Sequence, residues 1–498
     1  MRSLFIRLSE NDRGAALALV GASLLLLMGM AAFGSDLAWF YLNSSRIQRA
    51  ADAAALGGVI WLPSDEVSAK VNAQSIAVQN GYTDGVNSIV VPETDTEDSV
   101  LGVTELRVTI SADVPTFFLK AFGWDTQRIV ETGTAEYVPT LPMGSPENQF
   151  GDSPGCWDGG PPPQGPCNNF WASIQGHRNG QGWGDYFSSL CASWQTCTTQ
   201  TNPDYRSRGY LYGIDVPAGT SSFTVELLNP AFRPEAGGGT NPMEERFIQG
   251  SGWSNSVGAP NVTFTLYEQT STPLVLTSTT PVGGSCTQTY GPSPWPGNNS
   301  VTWQTHCTVN SPDAGIYPLQ VQIPASATRG HARFSIRATA LGPDPAVFAL
   351  GDMSIYTATE GVTEFFLAEV ESYHAGKTLV IELWDAGDAG GTPELRVLGP
   401  GGSSYDCEFS STRPGESTPT TLSPCAKVTS FGGNTNDSCS NCYNNHWITF
   451  EIELPITYTC SDCWWKMRYI YPAGFSVTDT TTWRAFMKGN PIHLVPNE

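Results

Sequence analysis

The chain carries little positive charge. Lys and Arg total 25 against 47 Asp and Glu, for a formal net charge of −22. That balance argues against a nucleic-acid partner, which a basic patch would mark. It also argues against polybasic attachment to anionic lipid. Histidine is scarce, at six residues, and none sits in an H-E-x-x-H arrangement. There is no G-x-S-x-G nucleophile elbow, no P-loop and no dinucleotide fingerprint after a strand. The carboxylate pairs of glycosidases are spatial rather than sequential, so 47 acids neither reveal nor dismiss one. The expectation is a protein that is not an enzyme and uses no cofactor.

Cysteine is absent before Cys156, and charge is absent from Gly14 to Gly34. At about 1.5 Å per helical residue that run spans roughly 30 Å, the hydrocarbon thickness of a bilayer. Arg2, Arg7 and Arg13 precede it, and Asp36 is the first charge after it. Positive flanks stay cytoplasmic, so the expected topology is cytoplasmic 1–13, spanning 14–34 and external thereafter. A cleaved signal peptide would have a shorter core and an A-x-A-like site. Here the helical pattern continues instead: Leu37, Phe40, Tyr41, Ile47, Ala51 and Ala54 recur at three- and four-residue spacing until Gly57-Gly58 and Pro63. Residues 35–62 are therefore read as continued helix.

A small α/β module is expected over 63–138. Ser64 is the candidate N-cap of a helix to Gln79, and Asn80-Gly81 the stop. Strands follow at Val86–Val91, Glu105–Ser111 and Gln127–Val138, with a short apolar helix at Thr116–Phe122 closed by Gly123.

Here the residues resemble a known family. Arg13-Gly14, the apolar run, Asp36 and the segment Gln48-Arg49-Ala50-Ala51-Asp52-Ala53-Ala54-Ala55-Leu56 are similar to TadE/TadG-like proteins of the tight-adherence (Flp) pilus system. Val108 to Gly123 and Thr134-Ala135 are similar too, so the resemblance covers about residues 10–138. It implies an envelope protein of a pilus-assembly locus, pilin-like in its helix, with pilus-assembly or envelope proteins as partners. Larger family members carry a D-x-S-x-S metal site. This chain lacks one, and Asp352-Met-Ser-Ile-Tyr356 departs at the second serine.

Residues 139–168 are dense in proline and glycine and read as a linker or stalk. Beyond them two related β patterns appear. Gly184-Asp185 precedes strands at Tyr210 and Ser222, and Gly351-Asp352 precedes strands at Phe365 and Thr378. A further strand follows in each, Asn261–Tyr267 and Glu394–Leu398. The fold class expected is mixed α+β: a long N-terminal transmembrane helix with a small α/β module, then two tandem antiparallel, jelly-roll-like β-sandwiches at 169–345 and 346–498. The strand and turn order near Ala375-Gly376 is faintly similar to bacterial pre-peptidase C-terminal modules, which are usually non-catalytic.

Six cysteines lie in each half: Cys156, Cys167, Cys191, Cys197, Cys286 and Cys307, then Cys407, Cys425, Cys439, Cys442, Cys460 and Cys463. Even numbers outside a membrane suggest disulfides, three per half. Cys439, Cys442, Cys460 and Cys463 also have zinc-ribbon spacing, and four thiolates there are the rival reading. Asp385 and Asp388 in a Gly-rich turn are candidate calcium ligands, against an ordinary turn role. The fifteen tryptophans either fill cores or, if exposed, stack on sugars. The function expected is structural: an outward-facing component of a tight-adherence pilus or related assembly, its β modules serving adhesion or partner contact. The alternatives are a binding module for a surface glycan, or an anchored hydrolase.

Overall fold

The computed structural model describes residues 12–62, 65–98, 101, 104–154, 156, 165–176, 180–190, 201–228, 261–270, 272–290, 302–323, 331–386, 393–429, 441–472, 476–489 and 491–496. It divides into two compact units, Met1–Val138 with Asn490–Glu498, and Pro139–Gly489.

The first unit is built on helix α1, Asp12–Gly58. By length and composition it can cross a membrane. From residue 16 to residue 31 it is exposed on every side, including Leu17, Leu25, Leu27 and Met30. Its trailing half is different: Ile47, Ala50, Ala51, Ala54 and Ala55 are buried. They face helix α2 (Glu66–Gln79) and the strands β1 (Ser88–Glu93), β2 (Glu105–Pro115) and β3 (Thr126–Tyr137). Alternation decides the sheet face: Leu106, Val108 and Ile110 point into the core with Ala69, Ala73 and Ala77 of α2. The N-cap of α2 is Asp65, whose carboxylate accepts the Ser68 N–H at 2.9 Å; Ser64 lies outside the described residues. The turn at Leu119–Phe122 is a 3-10 helix with no buried residue, ended by Gly123 in the left-handed region.

A strand unforeseen in the sequence completes this sheet. Ile492–Val495 pairs antiparallel with β3, Ile492 opposite Tyr137 and Val495 opposite Thr134. The sheet order is therefore β1-β2-β3 and then the closing strand. Residues 492–495 belong to the first unit and not, as the sequence suggested, to the second β module. The signal is short: four residues after a Gly-Asn-Pro turn, with no alternation to weigh.

Among its described residues the second unit is two large antiparallel sheets of ten and eleven strands. Cross-sheet ring pairs mark their packing: Phe223 with Tyr317, Phe264 with Phe334, and Phe365 with Trp483. The two sandwich modules are consecutive blocks of strands, but residue 345 does not separate them. Both sheets run through it. In one sheet the tiny strand Pro142–Met143 joins the blocks, with Met143 paired to Ala349 on one side and Ala368 on the other. In the other sheet Trp171–Gln175 does the same, with Ala172 between Phe334 and Ile355.

The stalk expected at 139–168 is thereby corrected. Met143, Ser145, Gln149, Phe150 and Ser153 are fully buried. Phe150 packs on Phe170 and Tyr212. Proline and glycine exclude helix there, but they do not exclude a short spline filling the seam between two sheet edges, whose backbone groups need partners.

The closing strand yields a test. The Val138 amide donates to the Pro491 carbonyl at 2.8 Å. Removing residues 490–498 should speed hydrogen exchange at Val138 by roughly tenfold or more, and leave amides of the 210–228 strands unchanged. Unaltered protection at Val138 would show that the closing strand does not hold the sheet.

Candidate functional site

In the first unit, the segment Gln48–Leu56 supplies the contact between α1 and β3. Ala50, Ala51 and Ala54 lie buried against the sheet, and Ala53 is half-buried. Small side chains let helix and strand approach closely. A methyl group on Gly133 of β3 would lie 2.6 Å from the Asp52 nitrogen and 2.7 Å from the Ala51 carbonyl carbon. The Gln48 amide donates to Asp52 Oδ1 at 2.7 Å and to the Thr132 carbonyl at 2.9 Å. The Gln-Ala-Asp-Ala pattern thus reads as a docking surface for β3. Arg13 and Gly14 are in α1, their side-chain surroundings outside the described residues.

Asp36 is the other fixed point of α1. It is fully buried, and its carboxylate accepts N–H bonds from Phe117, Phe118 and Leu119 at 2.8, 2.9 and 2.7 Å. Three charge-assisted bonds satisfy the otherwise orphaned amides that open the 3-10 turn.

In the second unit, the two Gly-Asp marks converge. Asp185 is fully enclosed; it accepts from the Tyr210 hydroxyl at 2.6 Å and from the Gln175 and Phe187 amides at 3.1 Å each. Burial pushes its carboxyl up to about 6, against the pull of those bonds, and the charge of Asp352 adds to the rise. Asp352 is itself paired with Arg206, whose guanidinium lies 3.5 Å from the Phe187 ring centre. Gly184 is required here, because a side chain would strike the Thr480 carbonyl at 1.6 Å. The void beside Asp185, Arg206 and Tyr210 is about 20 Å³, room for a water molecule and too small for a sugar ring. Sequence reading marked both aspartates as repeat signposts but had no means to see them meet.

The remaining candidates separate. Cys156–Cys167, Cys286–Cys307, Cys407–Cys425 and Cys460–Cys463 are disulfides. Cys442 is also disulfide-bonded. Cys191, Cys197 and Cys439 lie outside the described residues, as does Asp388. The four-thiolate zinc reading is corrected, because Cys460 and Cys463 are bonded to each other. Glu371 is near both sulfurs, but a disulfide sulfur is no thiolate ligand. Asp385 is buried with positive φ, and its Oδ1 accepts the Asn445 amide at 2.6 Å, a turn role.

Two histidines are sealed in. Burial pulls His306 down to about 4, and burial with Lys377 nearby pulls His374 down to about 3. Glu369 goes the other way, to about 7, through burial and the nearby charges of Glu371, Asp215 and Asp462. Of the tryptophans with described surroundings in the second unit, Trp171, Trp384, Trp447, Trp464, Trp465 and Trp483 are buried and Trp303 is half-buried.

No family model matches the chain, and no curated protein does. Among solved structures, the tandem N-terminal CBM22-1–CBM22-2 domains of Paenibacillus barcinonensis Xyn10C align over 80% of this chain and 92% of theirs, at 9% identity. The TM-score is 0.14, which carries no argument about fold or ligand.

Two outcomes follow. Gly133→Ala forces α1 and β3 apart, and should lower the stability of the first unit by about 1–3 kcal/mol in denaturant unfolding of detergent-solubilised protein. A neutral effect would show that the close approach is dispensable. Glu369 binds its proton more tightly when folded, so its contribution is full below about pH 4.5 and is lost as pH rises through about 7. The depressed histidines oppose this slope, so the test is a difference. Glu369→Gln should gain thermal stability relative to the parent between about pH 4.5 and pH 7, and a pH-independent difference would refute the assignment.

Proposed function

We propose that this protein is a single-pass, outward-facing structural component of the cell envelope, belonging to a tight-adherence pilus or a related surface assembly. The carrying observation is the division of α1. Its first half is apolar and exposed all round, as a bilayer segment or a helix in an assembly must be. Its second half is fixed to its own sheet through Ala50, Ala51, Ala54 and Gly133. The segment Gln48–Leu56, one part of the resemblance to TadE/TadG-like proteins, makes this attachment. The second unit, stapled by disulfides of the kind that persist outside the cytoplasm, is the part displayed for adhesion or partner contact. Among the described residues its largest aromatics are spent on the core, which favours a presented rigid body over a sugar-stacking platform.

Two measurements test the reading. Protease added to intact spheroplasts should digest the chain after the span, and protection of residues beyond Cys156 would reverse the topology. In a cell that builds tight-adherence pili with this protein, its deletion should abolish or deform the surface fibres. Normal fibres in the deletion strain would overturn the assembly role.

A further inference from the structure

The loop between β2 and β3, Thr116–Asp125, exposes what the rest of the fold hides. Phe117, Phe118, Phe122 and Trp124 face outward, Phe122 with 86% of its surface and Trp124 with 58%. Among the described residues, every other exposed aromatic side chain except Phe486 is on α1: Phe33 and Tyr41.

The loop is held firmly. Pro115 pairs with Thr126 at its base, and the Thr116 amide donates to the Asp125 carbonyl at 3.0 Å. Asp36 holds the amides of Phe117, Phe118 and Leu119. That latch also sets the level of the loop. Asp36 follows the end of the uncharged run by two residues, a rise of about 3 Å along the helix. Between helix and loop lies an apolar cleft of about 150 Å³, lined by Phe33, Leu37, Phe40, Leu119 and Trp124. Lys120 stands exposed among the rings, with Asp125 3.9 Å away.

We propose that Thr116–Asp125 is a second membrane contact, inserted into the boundary layer of the bilayer that α1 crosses. The aromatic rings enter the zone between headgroups and acyl chains. Lys120 meets lipid phosphate, and the cleft accepts an acyl chain of a phospholipid. The proposal rests on the reading of α1 as a membrane anchor. Continuity selects lipid as the occupant: the exposed apolar surface of α1 from Leu24 through Phe33 to Leu37 runs into the cleft and onto the loop. Trp and other amphipathic rings concentrate at this depth, and interfacial elements bury their apolar face about 5–10 Å into it. A side loop embedded beside the helix gives the protein a second point of insertion, which restrains the depth and tilt of α1.

The test uses the full chain in vesicles of phosphatidylcholine and phosphatidylglycerol. A benzophenone amino acid replaces Phe122 in one variant and Leu24 in another, and illumination should give phospholipid adducts at both positions. An adduct at 24 without one at 122 overturns the loop proposal while leaving the anchor intact. Absence at both overturns the anchor and the proposal with it. In native membranes, a protein adduct at 122 in place of lipid also overturns the proposal. A milder variant guards against misfolding. Lipid brominated near the headgroup end of its chains should quench the tryptophan emission of the parent more than that of Trp124→Phe, and equal quenching counts against insertion.

Discussion

A β-strand at a sheet edge leaves a row of backbone donors and acceptors unpaired, and that demand shapes most of this protein. Each block of the second unit would end in such edges: Ala346–Leu350 and Val362–Glu369 in one sheet, His331–Leu341 and Met353–Glu360 in the other. Two short segments from early in the unit, Pro142–Met143 and Trp171–Gln175, lie between them and pair both ways. The result is one continuous pair of sheets where separate sandwiches would each have exposed an edge. The first unit meets the same demand at β3 with residues 492–495.

The second constraint is distance. α1 can lie on β3 only where side chains are small, so Ala50, Ala51, Ala54 and Gly133 define the contact, and the Gln48–Asp52 pair registers it. Asp36 then ties the far end of the β2–β3 hairpin to the helix through three amides. Helix and sheet are therefore joined at both ends of the hairpin, and its loop takes a fixed height along α1.

The parts legible in sequence were those with a strong local period. The apolar run, the alternation in β2 and the Ala-rich face of α1 each announce their structure through neighbours in the chain. The strands at Tyr210, Ser222, Thr378 and Glu394 did likewise. What escaped was set by partners far away. Met143 reads as part of a proline-rich spacer until Ala349 and Ala368 flank it. Asp185 and Asp352 read as turn residues until folding places them in one buried cluster, where desolvation and mutual charge shift Asp185. The run Thr116–Phe122 reads as an apolar helix, because sequence gives hydrophobicity but not the side that a tether at Asp36 turns outward.

The pairing of β3 with residues 492–495 makes the entire second unit an insertion within a single hairpin of the first. Order of synthesis then matters. The ribosome makes β3 early and its partner only after everything from Pro139 to Gly489. At roughly 5–20 residues per second the delay is on the order of twenty to seventy seconds. Throughout that interval the sheet of the first unit waits with an open side. It closes only on chains whose translation has passed through the whole inserted body, so completion of the first unit certifies that the second has been made.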